Sequence, residues 1–246
     1  MSRIIFVTGT DTGVGKTLLT ASLLLHLRQT GRAALAMKPF CSGDREDVER
    51  IRAIQGSDPP MSEINPFYFT EPIAPLLAAR NQRCAIERRD ALRAIERMRD
   101  RCDCLIVEGA GGLLAPLGNG FSALEIIESL PESEVVIVAP NKLGTLNHTR
   151  LTAAALQARG TKRMAIVLMD QRTPDLSALT NAAFLKEVLA PTEVFSIPFL
   201  GGNALEVQAV EKNLKKIKKT LAQLGDPDSF SARSLEGRRK AASRTG

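Results

Sequence analysis

A glycine-rich loop between an apolar segment and a leucine-rich segment constrains the fold of this chain more than any other feature. Residues 4–7 form a continuous apolar run of β-formers, which is typical of a strand buried on both faces in a parallel sheet. The loop 9–17 follows with the sequence GTDTGVGKT, and residues 18–28 then repeat leucine at helical spacing. Strand, glycine loop and helix in this order predict a phosphate-binding loop at the carboxyl end of the first strand.

The loop departs by one residue from the consensus G-x-x-x-x-G-K-[ST]. Five residues separate Gly9 from Gly15, and Thr10 stands where the consensus requires the first glycine. Gly15 is still followed by Lys16 and Thr17. This order predicts that Lys16 reaches the β- and γ-phosphates of a nucleotide and that the Thr17 hydroxyl binds Mg²⁺. A glycine turn before a core helix is the alternative, and the intact GKT sequence disfavours it.

Strands and helices alternate along the remaining chain. Further strands are predicted at 33–37, 105–107, 135–139, 165–169 and 194–197, and further helices at 47–55, 86–101, 146–159, 177–189 and 207–224. Residues 58–75 contain five prolines and are expected to be irregular. The alternation predicts a three-layer α/β fold with a mainly parallel central sheet, and ligands in such folds bind at the carboxyl ends of the strands. We expect a single domain over residues 1–225 and a disordered basic tail over 226–246.

One further lysine and two carboxylates are predicted near those strand ends. Lys38 ends the second predicted strand, where it could neutralise a transferring phosphoryl group or a carboxylate-like substrate. Glu108 follows the apolar residues 105–107, at a place where nucleotide hydrolases carry a carboxylate that binds Mg²⁺. Asp47 stands at a predicted helix start. A surface position for Lys38, a helix cap for Asp47 and a paired buried acid for Glu108 are the structural alternatives.

The bulk properties restrict the class of protein and its surroundings. The chain has 246 residues, a net charge of +6, no tryptophan and one tyrosine, and this scarcity of aromatics weakly disfavours a base-stacking or sugar-stacking protein. Its four cysteines form no CxxC pair, and the spacing of the histidines does not fit zinc. The first apolar run is too short for a signal peptide, and no stretch approaches the ~20 apolar residues that span a membrane. We therefore expect a cytoplasmic protein without nucleic-acid or membrane partners, although a basic tail could serve either.

The segment 141–144, with the sequence NKLG, is similar to the guanine-reading motif N-K-x-D of GTPases. Its final aspartate is missing, which argues against GTP as the ligand. What remains is a glycine at a strand end, before a helix that begins near Leu146. The free N–H groups of such a helix start could bind an anion, although an ordinary helix start would look the same in sequence.

Taken together, the sequences GTDTGVGKT, KPFCSG, VEGAGG, NKLGTLNH and SIPFL resemble the motifs of the dethiobiotin synthetase family, in the same order and across residues 1–205. The resemblance implies a ligase of biotin biosynthesis that uses ATP and Mg²⁺ to carboxylate 7,8-diaminononanoate and to close a ureido ring. One amine takes up CO₂ to give a carbamate, and a carbamate oxygen attacks the γ-phosphate. The second amine then closes the ring and expels phosphate.

The resemblance also implies roles for individual residues. Lys16 and Lys38 would be catalytic, and Thr17, Asp47 and Glu108 would bind the metal. The nucleotide-binding residues would be Gly13, Val14, Gly15, Lys16, Thr17, Leu18, Asp47, Glu108, Gly109, Ala110, Gly111, Met169, Asp170, Pro198, Phe199 and Leu200. The substrate-binding residues would be Thr12, Lys38, Ser42 and Gly111, together with Gly144, Thr145, Leu146 and Asn147, which in the family reach the substrate carboxylate from the partner subunit. A homodimer is therefore expected.

Two departures from the family pattern and two rival functions bear on this interpretation. Gly13 stands where some relatives have glutamate, and Met169 stands where some have the asparagine that reads the base. Methionine lacks the hydrogen-bonding groups of an amide, so the preference between ATP and CTP stays open.

A related amidotransferase would need a glutaminase domain, for which the chain has no room. A partitioning-type switch ATPase would carry a lysine at the position of Asp11.

Overall fold

The computed structural model describes residues 2–56, 58–226 and 230. Its strands are β1 Arg3–Gly9, β2 Ala34–Met37, β3 Phe40–Ser42, β4 Phe67–Phe69, β5 Cys104–Glu108, β6 Glu134–Asn141, β7 Met164–Asp170 and β8 Glu193–Ile197. Its α-helices are α1 Lys16–Gln29, α2 Glu46–Gln55, α3 Met61–Ile64, α4 Pro75–Asn81, α5 Arg88–Arg99, α6 Ala123–Glu128, α7 Thr145–Ala158, α8 Asn181–Val188 and α9 Val207–Gly225.

A six-stranded sheet in the order β2-β5-β1-β6-β7-β8 forms the centre of the molecule, and all its neighbouring strands are parallel. The register pairs Val7 of β1 with Glu108 of β5 and with Val136 of β6. Parallel pairing brings the carboxyl ends of β1, β2 and β5 to the same edge of the sheet. The loops that carry the predicted site residues therefore meet there, as expected for this fold class.

Helices cover both faces of the sheet, because each central strand is apolar on both sides. Ile4 and Phe6 of β1 belong to a core that includes apolar residues of α5, α6, α7 and α8. Ile5 and Val7 point to the other face, where α1, α2 and α9 pack. The predicted three-layer α/β fold is confirmed.

The prediction for residues 58–75 was wrong in part. This segment contains α3 and β4, and β4 pairs in parallel with β3 in a separate two-stranded sheet. Phe67, Tyr68 and Phe69 are good β-formers, but the surrounding prolines concealed the short strand. Phe40 of β3 stacks on Phe67 of β4 with 4.9 Å between the ring centroids. Phe40 also meets Phe121 edge-on at 6.2 Å, which ties the small sheet to the core that contains Ile4 and Phe6.

The predicted helix 177–189 is divided into two pieces. A 3₁₀ turn at Leu176–Leu179 begins at Asp175, whose side chain accepts a hydrogen bond from the Ser177 N–H at 2.9 Å. The helix α8 follows from Asn181. The helices α4 and α6 were not predicted at all, although α6 begins with a recognisable capping box formed by Ser122 and Glu125.

Within the described residues, no helix is both long enough and apolar enough to cross a bilayer. Most of the predicted basic tail, residues 227–229 and 231–246, lies outside the described part of the chain. The tail prediction is therefore untested.

Candidate active site

A cavity of about 270 Å³ opens at the carboxyl ends of β1, β2 and β5. Its lining combines a glycine loop, two lysines, two carboxylates and a late glycine-rich segment. These residues are Thr12, Gly13, Gly15, Lys16, Thr17, Leu18, Lys38, Asp47, Glu108, Gly111, Gly201, Gly202, Ala204 and Leu205.

The glycine loop between β1 and α1 forms the floor of this cavity. Gly15 has a φ of 102°, a backbone conformation that favours glycine, and a Cβ atom there would also lie 3.1 Å from the side chain of Met169. The helix α1 begins at Lys16, directly after this turn, so its positive end faces the cavity. Free N–H groups at a helix start and in the turn before it bind phosphate oxygens well.

Lys16 extends back over the glycine loop. Its Nζ donates to the carbonyl oxygen of Asp11 at 2.7 Å, and its side chain is buried. Burial lowers the pKa of Lys16 to about 8, despite the opposing effect of Glu108. A bound phosphate would supply the negative charge that this ammonium lacks.

A compact charged cluster lies beside the loop. The Thr17 hydroxyl donates to Oε1 of Glu108 at 2.7 Å, and Nζ of Lys38 lies 3.0 Å from the same oxygen. Lys38 also forms an ion pair with Asp47. Burial by itself lowers the pKa of Lys38, but the carboxylates of Glu108 and Asp47 outweigh burial and raise it above its ordinary value. Lys38 is therefore a stable cation.

Burial and the neighbouring charge also have opposite effects on the pKa of Asp47. Burial raises the pKa of this carboxyl, but the neighbouring Lys38 ammonium outweighs burial, and the net result is a pKa below the ordinary value. Asp47 is therefore ionised at neutral pH, like the lysine that it faces.

The residues of this cluster fit a bound Mg²⁺. Glu108 is fully buried, and its Oε2 has no hydrogen-bond partner within the described part of the chain. Such an atom normally has a ligand, a water or an ion as its partner. Hydroxyl and carboxylate oxygens are the ligand types that Mg²⁺ prefers, and the metal commonly takes its remaining ligands from phosphates and water. Thr17, Asp47 and Glu108 supply these oxygens here.

Eight of the sixteen predicted nucleotide-binding residues line the cavity, namely Gly13, Gly15, Lys16, Thr17, Leu18, Asp47, Glu108 and Gly111. Val14 does not line the cavity; it is buried in the core on the face of the sheet covered by α1, α2 and α9. Gly109 and Ala110 form the turn after β5, and the Gly109 N–H donates to the Val7 carbonyl at 2.9 Å. Ser42, at the end of β3, is half buried and lies outside the cavity lining.

The segment 144–147 does not line this cavity in the single chain. It begins α7 at the carboxyl end of β6, with Thr145 buried and Asn147 exposed. Its role at a substrate site shared with a partner subunit stays a prediction.

The end of β7 packs against the glycine loop. Met169 is buried beneath Gly15, and Oδ1 of Asp170 accepts a hydrogen bond from Asn141 at 2.8 Å. Beyond β8, Pro198 and Phe199 are exposed, while Leu200 is buried. None of these five residues lines the cavity itself.

Sequence reasoning missed the segment 201–205, of which Gly201, Gly202, Ala204 and Leu205 line the cavity. The available signal was the glycine pair Gly201-Gly202, which follows the last predicted strand after the three residues 198–200. A glycine pair at a strand's carboxyl end permits close approach of a ligand to the backbone, as in the glycine loop.

Solved structures share this fold at low sequence identity. A ParA family ATPase from Chlorobium tepidum TLS aligns with a TM-score of 0.56 and 17% identity, covering 90% of this chain and 95% of that one. The MinD cell division protein of Aquifex aeolicus aligns with a TM-score of 0.55 and 17% identity, covering 96% and 98%. At this identity the likeness extends to the fold alone.

The sequence comparisons are more specific. A family model described as an AAA domain matches residues 3–216. The ATP-dependent dethiobiotin synthetase BioD of Bacillus licheniformis is 34% identical over 202 residues, which cover 80% of this chain and 83% of that protein. The protein of the same name from Anaeromyxobacter sp. strain Fw109-5 is 38% identical over 191 residues, covering 76% and 85%. The chain belongs to the dethiobiotin synthetase family.

Proposed function

We propose that this protein is a ligase that forms dethiobiotin from 7,8-diaminononanoate, CO₂ and ATP, with release of ADP and phosphate. The observation that carries the proposal is the meeting of Lys16, Lys38, Thr17, Asp47 and Glu108 at one cavity above a glycine loop. The membership of the chain in the dethiobiotin synthetase family, and the activity for which its relatives are named, supply the reaction.

On the nucleotide side, the glycine loop and the start of α1 bind the phosphates of ATP. Lys16 turns from the Asp11 carbonyl towards the phosphate oxygens. Thr17, Asp47 and Glu108 hold Mg²⁺, which when bound supplies positive charge that neutralises the phosphate oxygens. Gly13, Leu18 and the backbone of Gly111 complete the contact surface around the triphosphate.

On the substrate side, the chemistry brings two anions together, a carbamate and the γ-phosphate. Positive groups held in place before the reaction stabilise such a transition state. Lys38 is buried and points into the cavity, so its ammonium stabilises the carbamate oxygen as that oxygen attacks phosphorus. Thr12 and Ser42 orient the diamine, whose own amines act as the nucleophiles.

The base of the nucleotide lies towards Met169, Asp170 and the segment 198–200. The methionine thioether cannot donate a hydrogen bond to a base, and Asp170 already accepts one from Asn141. ATP is the co-substrate that the family indicates. CTP is the alternative nucleotide, and the assay must include it.

The assembly and the setting are proposals as well. We infer a homodimer in which residues 144–147 of one subunit reach the substrate carboxylate in the other. Exposed leucines near that segment, Leu143 at 81% and Leu151 at 62% exposure, are consistent with a covered surface. We further infer a cytoplasmic enzyme with one catalytic domain over residues 1–225, followed by a basic tail.

The test is direct detection of the product. Purified protein is incubated with diaminononanoate, bicarbonate and Mg²⁺, with ATP and CTP in parallel, and the ureido product is measured by mass spectrometry. We expect dethiobiotin from wild-type protein and almost none from Lys38→Ala. Folded wild-type protein that binds nucleotide but forms no product with either base would contradict the proposal.

A further inference from the structure

The ammonium of Lys38 lies where the oxygen atoms of the inferred magnesium site converge. Its Nζ is 3.0 Å from Oε1 of Glu108 and is ion-paired with Asp47. The Thr17 hydroxyl is 2.7 Å from the same oxygen of Glu108. The lysine is therefore the cation around which the inferred metal ligands are arranged.

In this arrangement, Lys38 reduces the repulsion between the carboxylates of Glu108 and Asp47. Glu108 is fully buried and Asp47 is partly buried, so two neighbouring carboxylates would repel each other without a cation between them. A buried charge that loses its partner is strongly destabilising. In the metal-free protein, Lys38 supplies the required positive charge.

A divalent ion bound by the same oxygens would compete with the lysine. Mg²⁺ bound directly to one or both carboxylates would need the space that an ammonium hydrogen-bonded to the same oxygens now occupies. Two adjacent cations also repel each other. Metal binding and the present contacts of Lys38 therefore exclude one another.

We propose that the Lys38 ammonium occupies the position of Mg²⁺ between Asp47 and Glu108 as long as no metal is bound. Metal binding displaces the ammonium into the open cavity, next to Thr12 and Gly111, where it can reach an anionic substrate group. This second step, which rests on the proposed function, makes Lys38 available to the substrate only after the metal is bound. The exchange of metal for lysine itself does not depend on which reaction follows.

The test measures metal binding by nucleotide-free protein, with Mn²⁺ as the probe because free Mn²⁺ is quantified by its electron paramagnetic resonance signal. The variants are Lys38→Met, which removes the charge but keeps much of the stem, and the control Arg50→Met. Arg50 lies 3.8 Å from Oδ1 of Asp47 and is part of α2, so its removal changes the charge near Asp47 without vacating the space between the carboxylates.

We expect Lys38→Met to bind Mn²⁺ at least about tenfold more tightly than wild-type protein, because a competing unit charge in contact with the ligands is gone. Arg50→Met should stay within about twofold of wild type, since a partly exposed charge is screened by solvent. Equal affinity of Lys38→Met and wild-type protein would overturn the proposal.

A second measurement covers the case in which Lys38→Met does not fold. Wild-type protein labelled with ¹³C at lysine Cε is first saturated with a non-hydrolysable nucleotide and then titrated with Mg²⁺, and Lys38→Arg serves to assign the signal. A shifted Lys38 resonance at saturation supports the exchange, and an unshifted one overturns it. Neither experiment contains the diamine, so failure to form dethiobiotin and failure of this proposal are separate outcomes.

Discussion

Thr17 and Glu108 show how single residues of this site depend on each other. The Thr17 hydroxyl donates to a fully buried carboxylate and stands at the first turn of α1, so its orientation is determined on both sides. Groups that orient a metal ligand typically change metal affinity by about 10–100-fold when they are removed. In the metal site proposed here, the hydroxyl of Thr17, rather than its methyl group, is the part that serves the metal.

We predict that Thr17→Ala raises the Mg²⁺ concentration needed for half-maximal activity by about tenfold or more. Thr17→Ser keeps the hydroxyl and should stay near the wild-type requirement. A magnesium titration of dethiobiotin formation distinguishes the two variants. Identical requirements for alanine and serine would show that the hydroxyl does not serve the metal.

The cysteines provide a residue-scale test outside the site. Burial raises the pKa of the Cys41 and Cys102 thiols and raises that of Cys104 to about 11, whereas Cys84 is exposed. Since thiolates are the reactive form, the buried Cys41 and Cys104 and the half-buried Cys102 should react more slowly than the exposed Cys84. We predict one fast-reacting thiol in native protein and four after denaturation, measured with a coloured disulfide reagent. More than one fast thiol in native protein would contradict the burial described here.

At the scale of elements, how well the sequence predicted the structure depends on how long and how regular each segment is. The strands β1, β5, β6 and β7 are apolar on both faces and were identified within a few residues. The short strand β4 was missed because prolines dominate its surroundings, and α6 was missed because only six residues follow its cap. The cavity contribution of residues 201–205 comes from an irregular segment, where periodicity carries no information.

The capping box of α6 allows an element-scale prediction. Oγ of Ser122 accepts from the Leu124 N–H at 3.2 Å, and Glu125 accepts from the Ser122 N–H at 2.7 Å. Loss of such a cap costs about 1 kcal/mol of stability. We predict this loss for Ser122→Ala by urea unfolding, with less than about 0.5 kcal/mol for the exposed control Ser196→Ala. Equal stabilities of the two variants would show that the cap contributes nothing.

At the scale of the whole molecule, one ion network joins both ends of the described chain. Arg3 of β1 pairs with Glu134 of β6 and donates to the Leu224 carbonyl at the end of α9. Arg163, just before β7, pairs with the same glutamate at 2.5 Å. Glu134 is only 1% exposed, so the network holds the amino-terminal edge of the sheet, opposite the cavity.

We predict that Glu134→Ala destabilises the protein by about 3 kcal/mol or more, because it breaks a buried pair and leaves Arg3 without its carboxylate. Glu128→Ala removes an exposed pair with Arg159 and should cost less than about 1 kcal/mol. Chemical denaturation of both variants gives the comparison. A small effect of Glu134→Ala would show that the network is not a major source of stability.

The central claim, that this cavity couples ATP cleavage to ring closure, is tested most directly by the stoichiometry of phosphate release. Phosphate and dethiobiotin are quantified in one reaction, with and without diaminononanoate. The ligase proposed here should release one phosphate for each dethiobiotin and almost none when the diamine is omitted. Steady phosphate release that is independent of the diamine, with no ureido product, would contradict the claim and favour a switch ATPase.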